Sequence, residues 1–247
     1  MEVYLADDNV ASMSLHLAHL SEESARMFVH WAVQPIIDLD STELRGLELL
    51  ARNPDAKTAS GSSIVNRLSA DGRYELFRQG IEFAQQYATG RSKYHVNLAA
   101  ADCDMVFDLE HFENLVIELT EGTINGENLD SSIRWIQAHG GTVALDDLGA
   151  PEWIGDLDAL IGLPWDLIKL DRSFLGLDSD HIEYYQMHLA SHSAPLCLEG
   201  IEREADLSVG TRMGASLGQG YHFGRPQIHQ SSPKFELSEY QLAVGIS

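Results

Sequence analysis

Short apolar runs alternate with helix-like segments along almost the whole chain, and this alternation constrains the fold more than any other feature. The runs are too short for helices and are typical of strands buried on both faces of a parallel sheet. Strands are predicted at Ala32–Leu39, Glu43–Leu50, Tyr94–Leu98, Leu115–Leu119, Thr142–Leu145, Leu167–Leu170, Pro195–Leu198 and Gln219–Phe223.

Segments with helical spacing lie between these runs. Helices are predicted at Tyr74–Tyr87, Gly126–His139, Asp180–His192 and Arg203–Met213. A strand followed by a helix, repeated about eight times, predicts a (β/α)8 TIM-like barrel, an α/β fold of roughly 250 residues. An open doubly wound sheet is the alternative, but no G-x-G-x-x-G turn follows a strand. We therefore expect one barrel domain over residues 29–247, with residues 1–28 packing on it or supporting a homodimer.

A polar or charged residue ends nearly every apolar run. These residues are Glu48, Asn97, Glu118, Asp146 with Asp147, Lys169, Glu199 and Gln219. The carboxyl ends of parallel barrel strands meet at one mouth, where active sites are built, so we expect these side chains to converge. A single residue of this kind is often a helix cap or turn former. Caps, however, do not require lysine or glutamine at matching places.

Carboxylates gathered in one cavity cannot all stay ionised without cations. Carboxylate and amide oxygens suit Mg²⁺ or Mn²⁺, and the adjacent Asp146 and Asp147 could bridge or flank two ions. Two such ions clamp a phosphoryl group and activate water for in-line attack. Lys169 is the one cation among these residues, placed to hold the attacking water or to neutralise developing charge.

The charge of the whole chain limits its partners. It has 16 Lys and Arg against 38 Asp and Glu, a net charge of −22. Such a surface repels a phosphate backbone and an anionic membrane, so neither a long nucleic acid nor a membrane is expected as a partner. Part of the excess is expected to be a solvated acidic face, and part to hold metal ions.

Two cysteines, Cys103 and Cys197, provide no disulfide framework and no zinc knuckle. A reducing cytoplasm is therefore the expected location. The first residues lack the basic and then apolar pattern of a secretion signal, and no apolar run is long enough to span a membrane. We expect a cytoplasmic protein.

From about Val33 to Pro226 the chain resembles the EAL domain, the bacterial phosphodiesterase of cyclic di-GMP. The resemblance rests on eight short motifs in the family's order: Gln34-Pro35-Ile36, Glu48-Leu49-Leu50-Ala51-Arg52 (E-A-L-x-R with Leu for Ala), Val96-Asn97-Leu98, Glu118-Leu119-Thr120-Glu121, Asp146-Asp147-Leu148-Gly149, Ile168 to Phe174, Glu199-Gly200-Ile201-Glu202 and Gln219 to Pro226. Each motif alone is weak, but the set in this order is highly specific.

The resemblance implies a two-metal hydrolysis of cyclic di-GMP to linear pGpG, with Mg²⁺ or Mn²⁺. It implies one metal held by Glu48, Asn97, Glu118 and Asp146, and a second held by Asp146, Asp147 and Glu199. It also implies that Lys169 contacts the nucleophilic water and that Glu199 is a candidate base. Substrate is positioned, on this resemblance, by Gln34, Arg52, Glu202 and Gln219.

The segment after Asp147 departs from the family pattern. Ala150 and Pro151 stand where the family has Thr and Gly, and the run to Pro164 is longer than usual. In the family this loop is thought to couple metal, substrate and dimerisation, with Glu121 as its anchor, and proline fixes φ where glycine is free. Two hypotheses remain: an active phosphodiesterase, or a degenerate module that binds cyclic di-GMP or a protein without turnover.

Overall fold

The computed structural model describes residues 27–53, 64–65, 67–88, 92–120, 126–150, 157–190, 192–232 and 235–237. The described residues belong to two compact units, a larger one within 31–50 and 76–232 and a smaller one within 27–30, 51–75 and 235–237. Residues 1–26 lie outside the described ranges, so the expected packing of 1–28 stays a prediction. Within the described ranges, no helix is both long enough and apolar enough to cross a bilayer.

Ten strands occur in the described ranges and carry the fold. They are β1 Met27–Asp38, β2 Leu44–Arg52, β3 Lys93–Ala99, β4 Leu115–Thr120, β5 Thr142–Leu148, β6 Leu167–Leu170, β7 Leu196–Leu198, β8 Leu217–Gln219, β9 Gln227–Ile228 and β10 Phe235–Leu237. Strands β2 to β8 are neighbours in chain order and run parallel. Pairing of β1 with β8 closes the sheet, which confirms the predicted barrel.

The first barrel strand differs from the regular strand–helix repeat. Strand β1 is antiparallel to β8, with Ile36 opposite Gln219. A tight turn leads from β1 to β2, in which the Asp38 amide donates to Glu43 O at 2.9 Å and Thr42 N donates to Asp38 O at 2.9 Å. So short a connection cannot make a parallel crossover, which needs a dozen or more residues.

Helices in the described ranges follow the predicted spacing, with some shifted ends. They are α1 Ala70–Tyr87, α2 Gly126–Ala138, α3 Leu157–Ile161, α4 Ser179–Leu189 and α5 Leu207–Met213, with 3₁₀ turns at Ala100–Asp108, Arg172–Gly176 and Glu204–Asp206. In α2, Leu129, Ile133 and Ile136 are fully or almost fully buried, as a helix with one apolar stripe requires. Helix α4 ends before the predicted His192, and the predicted helix from Arg203 is divided into a 3₁₀ turn and α5.

The last barrel strand was predicted in the wrong place. Strand β8 ends at Gln219 rather than beginning there. The backbone then turns, because Phe223 N and Gly224 N both donate to Gly220 O, at 3.1 and 3.2 Å. The prediction followed the aromatic residues Tyr221 and Phe223, which have high strand propensity but lie in this turn.

An apolar layer inside the barrel lies directly beneath the polar residues of the strand ends. It is a buried cluster of Ile36, Val116, Ala144, Leu167 and Cys197, with Leu217 packed against it. On β4 to β8 each member stands two residues before a polar residue, and residues two apart on a strand share a face. The barrel is therefore filled by one apolar layer and, toward the carboxyl ends of the strands, one polar layer.

Candidate active site

The polar layer gathers the side chains that the sequence predicted to converge, and Lys169 lies at its centre. Its side chain is 1% exposed, and Nζ lies 2.9 Å from Glu118 Oε1, 2.8 Å from Asp146 Oδ1 and 2.8 Å from Glu199 Oε1. Burial opposes the charged form, but Asp146, Glu118 and Glu199 outweigh it and raise the pKa of Lys169 well above its ordinary value. Lys169 is therefore an ammonium at any physiological pH.

A chain of amides holds Glu48 on the opposite side of the polar layer. Asn97 Nδ2 donates to Glu48 Oε1 at 2.9 Å, and Gln219 Nε2 donates to Glu48 Oε2. Gln219 Nε2 also lies 3.4 Å from Gln34 Oε1, and Gln34 Nε2 donates to the Gly224 carbonyl at 3.3 Å. Burial raises the pKa of Glu48, but Lys169 and the two amide donors outweigh burial and lower it. Glu48 is thus held as a carboxylate.

Asp146, Asp147 and Glu199 form an acidic cluster, with one oxygen of each within 4.8 Å of the others. Adjacent residues of a regular strand point to opposite faces, so Asp146 and Asp147 could not both reach one site from ideal β-structure. Strand β5 has an irregular register between Leu145 and Leu148, and Asp147 has a left-handed φ of 55°. This bulge turns both carboxylates toward Glu199.

The carboxylates of the polar layer carry more negative charge than Lys169 can balance. Burial raises the pKa of Glu118 and of Glu199 well above their ordinary value. Burial, followed by the charge of Asp146, raises the pKa of Asp147 to about 7. Such shifts show that the folded chain resists a full set of negative charges here, and a divalent cation would remove that resistance.

Two buried oxygens in the polar layer also lack a partner among the described residues: Glu118 Oε2 and Gln219 Oε1. Buried oxygens normally accept a hydrogen bond, so each of these two oxygens is available to a donor or a cation. Oxygen ligands with an excess of carboxylates are the donor set that Mg²⁺ and Mn²⁺ prefer. The residues present therefore fit the divalent metals that the sequence predicted.

Three more residues were predicted at the site: Arg52, Glu202 and Glu121. Arg52 ends β2 in the smaller unit, where its Nη1 donates to the Ala51 carbonyl at 3.0 Å. Glu202 is exposed; its carboxylate lies 4.0 Å from Arg172 Nη2 and its backbone amide donates to Asp206 Oδ2 at 3.1 Å. Glu121, predicted as the loop anchor, lies outside the described residues. The substrate-binding roles of Arg52 and Glu202 stay predictions.

His95, which was not predicted as a site residue, lies in the interior two residues before Asn97. The ring is 4% exposed, and Nδ1 lies 2.7 Å from Glu118 Oε1. Burial, followed by the Lys169 charge, lowers the pKa of His95 to about 3, so the ring is neutral. The signal was available, because residues two apart on a strand share a face and Asn97 was already assigned to the site.

Fold and site together define the class: an α/β barrel, parallel from β2 to β8, with a carboxylate-lined site at the carboxyl ends of those strands. Residues 19–226 match the family model described as EAL domain. The chain therefore belongs to the EAL domain family. A search of the curated proteins found no match.

Solved structures share the fold. A manganese and cyclic di-GMP complex of BlrP1 from Klebsiella pneumoniae is 18% identical with a TM-score of 0.67, over 94% of this chain and 70% of that chain. A calcium and cyclic di-GMP complex of YkuI from Bacillus subtilis is 20% identical with a TM-score of 0.68, over 86% and 57%. An EAL domain protein from Listeria monocytogenes is 22% identical with a TM-score of 0.65, over 92% and 94%. This chain thus corresponds to little more than half of the YkuI chain.

Proposed function

We propose that this protein is a metal-dependent phosphodiesterase that hydrolyses cyclic di-GMP to linear pGpG. The observation that carries the proposal is the cluster of Asp146, Asp147 and Glu199 beside the buried ammonium of Lys169. Membership of the EAL domain family supports the substrate, as do the cyclic di-GMP complexes of BlrP1 and YkuI. A compact dianion held by cations is also compatible with a net charge of −22, whereas a long nucleic acid is not.

Two divalent cations, Mg²⁺ or Mn²⁺, are part of the proposal. One would be held by Glu48, Asn97, Glu118 and Asp146, and the other by Asp146, Asp147 and Glu199. When bound, the two ions supply Lewis-acid polarisation of the phosphodiester and a water of lowered pKa. The BlrP1 and YkuI complexes, which contain manganese and calcium, support divalent ions at such a site.

Lys169 and Glu199 are proposed to orient and deprotonate the attacking water. Lys169 Nζ, whose three donors face Glu118, Asp146 and Glu199 in the metal-free protein, would turn one of them to the attacking water and would balance charge that develops on the phosphoryl oxygens. Glu199, whose Oε1 is held by Lys169 Nζ at 2.8 Å, accepts the proton of that water. A bond forms between the water oxygen and phosphorus, the bond from phosphorus to the ribose 3′ oxygen breaks, and the proton that Glu199 accepted passes to that oxygen. The product is linear pGpG.

Four residues are proposed to position the substrate: Gln34, Arg52, Glu202 and Gln219. Gln34 and Gln219 contact each other beside Glu48, and Gln219 Oε1 has no partner among the described residues. These amides offer donors and acceptors to a nucleotide next to the metal ligands. Arg52 suits a phosphate because its planar guanidinium can donate two parallel hydrogen bonds.

The decisive experiment is incubation of the purified protein with cyclic di-GMP and Mg²⁺ or Mn²⁺, followed by chromatography of the nucleotides. We expect pGpG, and no product in EDTA. Glu199→Gln removes one charge with little change of shape and should lower the rate by at least about 100-fold, the scale of a lost general base. Glu183→Gln makes the same change on the exposed face of α4 and should leave the rate unchanged.

A second function is favoured by one observation, the sequence at Ala150 and Pro151 where the family has Thr and Gly. In this alternative the chain binds cyclic di-GMP, or a protein, without turnover. Intact substrate at high protein concentration with both metals would favour it and would contradict the phosphodiesterase. A binding titration with cyclic di-GMP would then separate a nucleotide receptor from a protein-interaction module.

Two further parts of the proposal concern location and assembly. We place the protein in the cytoplasm because its two cysteines, Cys103 and Cys197, are both buried and free. A homodimer is also proposed, on the resemblance to the family alone. Light scattering of the purified chain, with and without Mn²⁺, measures its mass directly, and a monomer in both conditions would contradict the dimer.

A further inference from the structure

His95 interrupts the apolar layer beneath the polar layer. On β4 to β8 the residue two positions before each polar residue is Val116, Ala144, Leu167, Cys197 or Leu217. The matching position before Asn97 is His95, which is 4% exposed. A buried polar ring is costly unless its nitrogens are satisfied, and leucine or valine would fill the same layer at no such cost. The position therefore calls for an explanation in terms of its contacts.

The ring reaches one particular oxygen. His95 Nδ1 lies 2.7 Å from Glu118 Oε1, the oxygen that also lies 2.9 Å from Lys169 Nζ. The same carboxylate leaves Oε2 buried and without a partner among the described residues. Two donors on one oxygen fix the rotation of a carboxylate about its last side-chain bond. As a result, one oxygen of the carboxylate has two hydrogen-bond donors and the other has none in the described part of the chain.

Strand β2 provides the space for this ring. Gly46 stands two residues before Glu48, and a Cβ built on Gly46 would lie 2.6 Å from His95 Nε2 and 2.8 Å from His95 Cδ2. Real Cβ atoms do not approach other heavy atoms so closely, so any side chain at position 46 would displace the ring. Gly46 and His95 are therefore complementary, with no side chain on one strand and an imidazole on the next.

We propose that His95 is a positioning residue: its Nδ1–H holds Glu118 Oε1, with Gly46 making room, so that Glu118 presents Oε2 to a divalent metal. The inference rests on the proposed function, because it takes Glu118 as a metal ligand. Residues that hydrogen-bond to metal ligands are general features of metal sites, and their loss typically lowers metal affinity by about 10–100-fold.

Mn²⁺ titration without nucleotide, followed by the electron paramagnetic resonance of free Mn²⁺, tests this proposal. His95→Leu keeps apolar bulk but removes the donor, and it should weaken Mn²⁺ binding by about 10–100-fold. His95→Asn loses bulk but places an amide N–H where Nδ1 stood, and it should bind Mn²⁺ clearly more tightly than His95→Leu. A role limited to packing gives the opposite order, and that order would overturn the proposal.

Gly46→Ala provides an independent route to the same result. It should weaken Mn²⁺ binding in the wild-type background, because the new methyl group displaces the ring. In the His95→Asn background it should have little further effect, since the crowded Nε2 and Cδ2 atoms are gone. Equal losses in both backgrounds would contradict the proposal. Circular dichroism and thermal unfolding of each variant establish that the fold is retained.

The outcomes for this inference and for the proposed function can be told apart. A wild type that binds Mn²⁺ but does not hydrolyse cyclic di-GMP would contradict the phosphodiesterase and leave the role of His95 intact. Hydrolysis by the wild type together with unchanged Mn²⁺ affinity in His95→Leu would contradict only the role of His95. A wild type that binds no Mn²⁺ would overturn both.

Discussion

At the scale of single residues, the buried ammonium of Lys169 is the counter-ion that stabilises the surrounding carboxylates. It lies within 2.9 Å of Glu118, Asp146 and Glu199 and is 1% exposed. Removing one partner of a buried ion pair leaves charge without compensation and costs about 3–5 kcal/mol. The polar layer therefore needs a cation at its centre even before any metal binds.

We predict that Lys169→Met lowers the free energy of unfolding of the metal-free protein by about 3–5 kcal/mol at pH 8, because three carboxylates lose their counter-ion. Urea unfolding with EDTA present measures the change. Lys93→Met removes an exposed lysine from β3 and should alter stability by no more than about 0.5 kcal/mol. Equal stability of Lys169→Met and wild type would contradict the prediction.

The raised pKa of Asp147 predicts how the stability of the metal-free protein changes with pH. Its pKa in the folded chain is about 7 against an ordinary value of 3.8, so the metal-free folded state holds this proton more tightly than the unfolded chain. Its contribution to stability is present below about pH 4 and is lost as the pH rises through 7. Glu118 and Glu199, whose pKa values are also raised, act in the same direction.

We therefore expect the metal-free protein to be less stable at pH 8 than at pH 5, with Asp147 contributing on the order of 2 kcal/mol, since one pKa unit corresponds to about 1.4 kcal/mol and the side chain is partly open to water. Chemical unfolding at both pH values, in EDTA, measures this difference. Asp147→Asn should reduce the difference, and an unchanged difference in the variant would refute the role of Asp147.

The residues of the polar layer could be predicted from the sequence wherever an apolar run ended in a polar residue. Glu118, Lys169 and Gln219 follow apolar runs, and parallel strands bring their ends together. His95 was missed because a lone histidine inside an apolar run is usually a packing residue. Its role depends on Gly46, which lies on another strand and is distant in sequence, so the pair emerges only once the register of β2 and β3 is known.

At the scale of elements, the connections position the site as much as the strands do. The existence and order of β2 to β7 followed from their apolar runs. The bulge in β5 did not, because Thr142–Leu148 reads as an ordinary strand, and the left-handed φ of Asp147 arises from its surroundings in the barrel. The hairpin from β1 to β2 was missed because apolar runs do not encode strand direction.

The turn after β7 shows how closely two connections approach. Gly200 directly follows Glu199, has a φ of +68°, and a Cβ there would lie 2.4 Å from Arg172 Cβ in the 3₁₀ turn after β6. A side chain at this position would therefore meet both backbone strain and the neighbouring turn. Relief of the collision requires movement of the backbone that carries Glu199.

We predict that Gly200→Ala lowers stability by about 2–4 kcal/mol and lowers the proposed phosphodiesterase activity, because strain of about 1–3 kcal/mol is added to overpacking. Gly214→Ala is the matched control, since Gly214 has a similar φ of +73° but nothing within 4 Å of an added Cβ. It should cost only about 1 kcal/mol and leave activity unchanged. Thermal unfolding and pGpG formation measure both effects, and equal losses in the two variants would contradict the collision.

At the scale of the whole molecule, the net charge of −22 opposes every anionic ligand unless cations intervene. The composition alone predicts this repulsion of anions. The position of the acidic cluster that could bind cations becomes visible only in the folded barrel. The negative potential is long-ranged and screened by salt, while a cation bound among Asp146, Asp147 and Glu199 acts at contact distance. We therefore expect recognition of a compact phosphodiester by this chain to depend on a divalent metal.

We predict that cyclic di-GMP binding is at least about tenfold weaker in EDTA than in Ca²⁺, an ion present with the nucleotide in the YkuI complex. Isothermal titration calorimetry at low ionic strength measures both affinities. Added NaCl should improve the weak binding in EDTA, because it screens repulsion between the dianion and the acidic surface. A short single-stranded RNA should remain unbound in either buffer. Equal affinity for cyclic di-GMP with and without Ca²⁺ would mean that the nucleotide is recognised by side chains alone, and the acidic cluster would then have no part in binding it.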